Sequence, residues 1–139
     1  MKIILDTNIY FSAFIFDRDA LNLMDWCYDN YLVYVSKDSI SELTEVLLRE
    51  KTQKFIKNYE ISKTEKFIQE IIDRSLVIEQ TNTVAICRDP RDNKFLEIAQ
   101  EISADYLITG DNDLLILNQF ESTKILKPKE FIKEFKLSF

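Results

Sequence analysis

The chain has 139 residues, 46% of them hydrophobic, and a formal charge of −6, which sets the scale of one core spanning residues 1–139 rather than two domains. A single glycine excludes the glycine-rich phosphate cradles of nucleotide-binding folds. The absence of histidine excludes Ser-His-Asp and Cys-His nucleophiles, zincins and ordinary zinc fingers, leaving carboxylates as the chemistry of the chain.

Taken in order, the residues alternate between strand and helix patterns. Lys2 to Asp6 reads as a short apolar strand closed by a carboxylate. The run Ile9 to Phe16 is interrupted by Ser12 and is far shorter than the ~20 residues a membrane span needs. A helix is expected over Ala20 to Asp29, then a strand over Tyr31 to Val35. The next helix, Ser39 to Arg49, lines up Ile40, Leu43, Val46 and Leu47. Another, Ser62 to Arg74, lines up Phe67, Ile68, Ile71 and Ile72. Leu76 to Ile78 is the third strand. A helix after Pro90 presents Phe95, Ile98, Ala99 and Ile102 inward, and strands follow at Tyr106 to Thr109 and Lys124 to Leu126. The alternation predicts an α/β fold, a mostly parallel five-stranded sheet covered by helices on both faces.

Charge is distributed unevenly. Arg49 to Lys66 holds six basic residues against three acidic, and Lys124 to Lys136 five against two, so the remainder carries the strong acidity. The first stretch is interleaved with Phe55, Tyr59 and Phe67, a composition suited to tracking a phosphate backbone, with Lys54 and Lys57 as candidate RNA contacts. The same composition also suits a solvated helix face with lysine stems lying over aromatics. Cys27 and Cys87, sixty residues apart in apolar surroundings, are expected to pack as small apolar residues in a reducing compartment. With no export signal visible after Met1, a cytoplasmic protein is expected.

In open parallel sheets, ligands bind beyond the carboxyl ends of the strands. Asp6 closes the first strand there, Asp111 and Asp113 follow the Tyr106 strand, Asp92 belongs to the first turn of the helix after Pro90, and Glu42 is near the start of the helix after the second strand. Each acid has a local explanation as well. Ser39-x-x-Glu42 and Ser62-x-x-Glu65 read as capping boxes. Asp89 and Asp92 flank a helix N-terminus, and Asp111-Asn112-Asp113 after Gly110 suits a turn. Asp6 has no such explanation, because an acid ending a central apolar strand needs a partner. Carboxylates converging with no lysine fixed beside them repel by ~1 to ~4 kcal/mol per close pair. A hard divalent cation, Mg²⁺ or Mn²⁺, offsets that repulsion and points to phosphodiester hydrolysis.

Four segments, Leu5-Asp6-Thr7-Asn8, Ser39-x-x-Glu42-Leu43, Arg88-Asp89-Pro90-Arg91-Asp92-Asn93-Lys94-Phe95-Leu96 and Thr109-Gly110-Asp111-Asn112-Asp113-Leu114, together resemble the PIN-domain ribonucleases, in particular toxins of toxin–antitoxin modules. The resemblance implies a sheet of order 3-2-1-4-5 and a Mg²⁺- or Mn²⁺-dependent endoribonuclease. It further implies Asp6, Glu42, Asp92 and Asp111 as catalytic metal ligands, Asp113 as a further ligand, and Asn8 and Thr109 in support. An RNA substrate, an antitoxin that inserts a basic side chain near the metal, and a homodimer are its implied partners. Asp89 competes with Asp92 for the third position. Asp92 is preferred because the pattern of Phe95, Ile98 and Ala99 places it on the helix, whereas Asp89 precedes Pro90, whose ring favours extended geometry in its predecessor. A phosphatase of the haloacid dehalogenase type would need an acid where Asn8 stands, and a receiver domain would need an early acidic pair. A scaffold that binds RNA or protein without cutting, and a nuclease acting on DNA, remain the alternatives.

Overall fold

The computed structural model describes residues 1–15 and 17–139; Phe16, the end of the first apolar run, lies outside the described residues. In chain order the elements are β1 (Lys2–Leu5), α1 (Thr7–Phe14), α2 (Arg18–Asn30), β2 (Leu32–Ser36), α3 (Lys37–Leu48), α4 (Glu50–Phe55), α5 (Ile61–Arg74) and β3 (Leu76–Ile78). A single 3₁₀ turn (Pro90–Asp92) then leads into α6 (Asn93–Ile102), β4 (Tyr106–Ile108), α7 (Asn112–Leu115), β5 (Gln119–Phe120), β6 (Thr123–Leu126) and α8 (Pro128–Glu134).

The sheet has the order β3-β2-β1-β4-β6-β5. Its ladders are parallel apart from the β5–β6 pair, which is antiparallel. The expected doubly covered parallel sheet is therefore present, with six strands among the described residues instead of five. The extra strand is the two-residue β5, which doubles back onto β6 through Glu121, a residue in the left-handed region (φ 51°).

Both faces of β1 are buried, as a central parallel strand requires. Ile3 and Leu5 pack into one core with Val33, Leu43 and Ile108, while Ile4 packs into the other with Phe95, Leu96, Leu107 and Ile125. The stripe expected on α6 faces that second core, with Phe95, Ile98, Ala99 and Ile102 all buried. Cys27 is fully buried and Cys87 is packed at the margin of the second core, in line with the apolar role expected of them. No helix among the described residues is long and apolar enough to cross a membrane. Pairing of Leu5 with Ile108 and of Ile108 with Leu126 brings the carboxyl ends of β1, β4 and β6 level, so the residues after them share one edge.

Candidate metal centre

Asp6 follows β1 directly and turns the chain into α1. Its backbone N–H donates to Ile108 O at 3.1 Å, the last bond of the ladder to β4. Its side chain is the N-cap of α1, Oδ1 accepting from Ile9 N at 3.1 Å, while Oδ2 accepts from the Thr109 hydroxyl. Only 3% of Asp6 is exposed. Burial raises its carboxyl to about 6, against the lowering effect of the Thr109 and Ile9 donors. Thr109 is itself fully buried and also accepts from Asp111 N at 2.9 Å, so one hydroxyl ties the end of β1 to the acidic turn after β4.

Beyond that hydroxyl stand three more acids. Asp111 caps α7, accepting from Asp113 N at 2.9 Å, and Asp92 closes the 3₁₀ turn one residue before α6 rather than within its first turn. Asp92, Asp111 and Asp113 each offer a carboxylate oxygen, all within 4.8 Å of one another. Burial, the carboxyl of Asp111 against it and the charges of Asp111, Asp89 and Asp113 raise Asp92 to about 7. Among the described residues its Oδ2 is buried without a hydrogen-bond partner, a position that a buried oxygen occupies at a cost of ~1–3 kcal/mol unless something cationic or protic meets it. Cys87 borders these acids, and burial together with the surrounding carboxylates pushes its thiol up to about 11. It stays protonated, so the available donor set is oxygen, the set that Mg²⁺ and Mn²⁺ prefer. An orphaned carboxylate oxygen among three clustered acids fits such an ion.

Glu42 lies across the crevice on α3. The helix begins at Lys37, earlier than expected, and its capping box is Ser36 with Ser39: Ser36 Oγ accepts from Ser39 N at 3.0 Å and Ser39 Oγ from Ser36 N at 2.9 Å. The expected Ser39-x-x-Glu42 box is therefore displaced by one turn, which releases the Glu42 carboxylate from capping. Ser62-x-x-Glu65 is likewise no box, because α5 starts at Ile61 with Glu60 at its N-cap and no side-chain cap bond. Glu42 instead accepts from the Thr7 hydroxyl at 2.6 Å and forms an ion pair with Lys94, whose ammonium also donates to Arg91 O.

Lys94 is the site residue that the sequence pattern does not announce, and it corrects the expectation that no lysine is fixed beside the acids. Two residues beyond Asp92, it stands on the opening turn of α6 and reaches fifty-two positions back in the chain to Glu42. The Lys94 and Glu42 side chains are 15% and 26% exposed. A second basic residue, Arg88, pairs with Asp113 at 3.1 Å from an exposed position.

The crevice, about 500 Å³, is lined by Thr7, Asn8, Glu42, Asp92, Lys94 and Asp111 among others. The structure thus draws Asp92, Asp111 and Asp113 into one cluster, sets Asp6 behind it through Thr109, and keeps Glu42 on the facing wall with its own cation. Asp89 is at the crevice mouth. Its side chain accepts from Arg91 N at 3.0 Å and pairs with the Arg91 guanidinium at 2.8 Å, which lowers its carboxyl to about 2. Lys54 and Lys57 are outside the crevice. Lys54 pairs with Glu50 at 2.9 Å, and Lys57 borders a separate apolar groove with Phe14, Ile56 and Phe67.

The Thr109 bridge gives a direct prediction. Thr109→Val keeps the shape but strands Oδ2 of Asp6 and the N–H of Asp111, and urea denaturation should show a loss of about 2 kcal/mol. Thr109→Ser retains the hydroxyl and should recover most of that loss; a valine variant as stable as the parent would remove the bridge from the account.

The family model described as "PIN domain" matches residues 2–113. The uncharacterized protein MJ1680 of Methanocaldococcus jannaschii is 31% identical over 147 residues, a match covering 97% of this chain and 92% of the relative. Among solved structures, the crystal structure of VapBC2 from Rickettsia felis bound to a DNA fragment from their promoter is similar in fold, with a TM-score of 0.63, 14% identity, and coverage of 91% of this chain and 98% of that one. With the matched segment containing Asp6, Glu42, Asp92, Asp111 and Asp113, this chain belongs to the PIN-domain family.

Proposed function

We propose that the protein is an endoribonuclease dependent on Mg²⁺ or Mn²⁺, and the toxin of a toxin–antitoxin pair. The observation that carries the reading is the cluster of Asp92, Asp111 and Asp113, with the buried, unpartnered Oδ2 of Asp92 among them. Membership of a nuclease family supports it. Asp6, Glu42, Asp92 and Asp111 would form the ligand set, and Asp113 would contribute a further oxygen. When bound, the ion supplies a water of lowered pKa and counter-charge for the phosphate, which is why no histidine is required.

The chain's own groups do the rest. Thr109 and Ile9 N hold the Asp6 carboxylate in one orientation, fixing the negative field behind the cluster. Lys94 holds Glu42 against the facing wall and sets a positive charge beside the crevice, where a phosphate oxygen would meet it. Asn8, exposed at the rim, offers a carboxamide N–H to the sugar-phosphate chain. The similarity in fold to VapBC2 supports the toxin reading, and an acidic crevice suits a basic antitoxin segment; a homodimer is part of the same proposal.

Incubation with a mixed RNA pool and matched single-stranded DNA, followed by end mapping, tests this reading. Internal cuts in RNA with no 2′,3′-cyclic phosphate are expected, since water and not the ribose hydroxyl is the nucleophile. Cutting confined to DNA, or no cutting at all, would replace it with the DNA-nuclease or the scaffold alternative.

A further inference from the structure

A second recess opens beside the acidic crevice and shares Asn8, Val46 and Arg49 with it as common walls. It has a volume of about 540 Å³, within the ~300–1,000 Å³ range of small-ligand sites. Its remaining lining is chiefly of two kinds: the aromatic rings of Phe11 and Phe55, and the cations Lys51 and Lys54. Among the described residues no acidic one lines it, whereas the crevice next door is dominated by carboxylates. A recess that joins rings to cations and continues into a phosphodiester-cutting crevice matches the chemistry of a single-stranded nucleic acid, whose bases stack and whose phosphates need counter-charge.

The local structure explains how Phe55 comes to be there. It is the last residue of α4 and is 69% exposed, an unusual position for a ring of that size. The short helix is pinned to the end of α3 by Thr52 Oγ1 donating to Val46 O at 2.7 Å and Gln53 Nε2 donating to Leu48 O at 2.9 Å. The ring is therefore held out by α4, between this recess and the apolar groove of Phe14 and Phe67, and not turned into the core. Arg49 and Lys54 are engaged by Glu45 at 3.3 Å and Glu50 at 2.9 Å. These are exposed pairs four residues apart and weak in water, so a phosphate can displace either carboxylate.

From this geometry we infer that the recess is a subsite for the nucleotide flanking the scissile phosphate of single-stranded RNA, with Phe55 as the stacking platform and Arg49 and Lys51 as its phosphate contacts. The inference rests on the ribonuclease reading and adds to it the residues of this chain that would receive an unpaired base. Duplex RNA cannot offer a free base face to Phe55.

The test is fluorescence anisotropy with a labelled single strand of about ten nucleotides and the same strand in duplex, in Ca²⁺ buffer, using the full chain. The single strand should bind more tightly than the duplex. Phe55→Ala should weaken single-strand binding about 5- to 100-fold, Phe55→Tyr should restore it, and Lys51→Glu should weaken it and flatten the salt dependence. In cleavage assays Phe55→Ala should raise KM with kcat unchanged. Affinity within twofold of the parent for Phe55→Ala would overturn the subsite. So would a Phe55-dependent self-association in sedimentation with RNA affinity unaltered, which would make the ring a contact between copies. Phe55-dependent binding of RNA that is never cut would keep the subsite and refute the nuclease; metal-dependent cutting with an unchanged KM in Phe55→Ala would do the reverse.

Discussion

Asp92→Asn and Asp111→Asn are each expected to lower the RNA cleavage rate by about a thousandfold or more, equivalent to about 4 kcal/mol of lost transition-state stabilisation. The two side chains carry adjoining oxygens of the clustered acids, and neither amide can offer the charge that a divalent cation needs. The same variants should be more stable than the parent without metal. In Asp92→Asn the new carboxamide can donate toward the Asp111 carboxylate at any pH, so above about pH 7, where Asp92 is ionised, about 1–2 kcal/mol of gain is expected in urea. Asp89→Asn should behave oppositely. It weakens the Arg91 pair while keeping a side chain that caps the 3₁₀ turn about as well, so stability should fall only slightly and metal-dependent cleavage stay measurable. An inert Asp89→Asn beside an active Asp92→Asn would exchange their roles.

The metal-free protein should lose stability as pH rises from about 4 to about 7. Asp6 and Asp92 have carboxyls raised to about 6 and about 7 in the fold. Between the unfolded value near 3.8 and those values the native state holds more protons than the unfolded chain. Their protonated forms favour the fold fully below about pH 4, and that contribution is gone once pH passes about 7. For Asp6, the rise from 3.8 to about 6 corresponds to about 3 kcal/mol; Asp92, closer to solvent, adds a smaller, screened share. Urea midpoints across this range check the slope. Asp6→Asn should flatten it, and saturating Mg²⁺ or Mn²⁺ should restore stability above about pH 6, because an ion that binds only the native state adds RT ln(1 + [L]/Kd). A midpoint that rises steadily over the same range without metal would show that neither acid is held in the environment described.

Much of this architecture is legible from residue patterns, and the gaps have identifiable causes. The strand–helix alternation and the inward stripe of α6 are readable because amphipathic helices and apolar strands differ in period. Helix α1 is not, because Thr7–Phe14 is apolar on nearly every side and offers no period; its start signal, Asp6 as a cap, reads in sequence as a strand-end acid only. The β5–β6 hairpin is hidden because its tight turns use Asn118 and Glu121 at positive φ, where glycine would have announced them. The acids are visible as a set, but their division of labour is not. In sequence Ser39 pairs with Glu42 as a cap, whereas in the fold Ser36 caps the helix one turn earlier. The Lys94–Glu42 pair joins residues from α6 and α3 whose approach depends on the packed sheet between them.

The measurement that bears most directly on the carboxylate cluster is the rate of RNA cleavage by the intact chain as Mn²⁺ or Mg²⁺ is titrated into chelated protein and then withdrawn with EDTA. Cleavage should be absent in EDTA, rise and saturate with added ion, vanish again on chelation, and fail to appear at any ion concentration with Asp111→Asn. Undiminished cutting in EDTA, or a metal response unaltered in Asp111→Asn, would contradict the account.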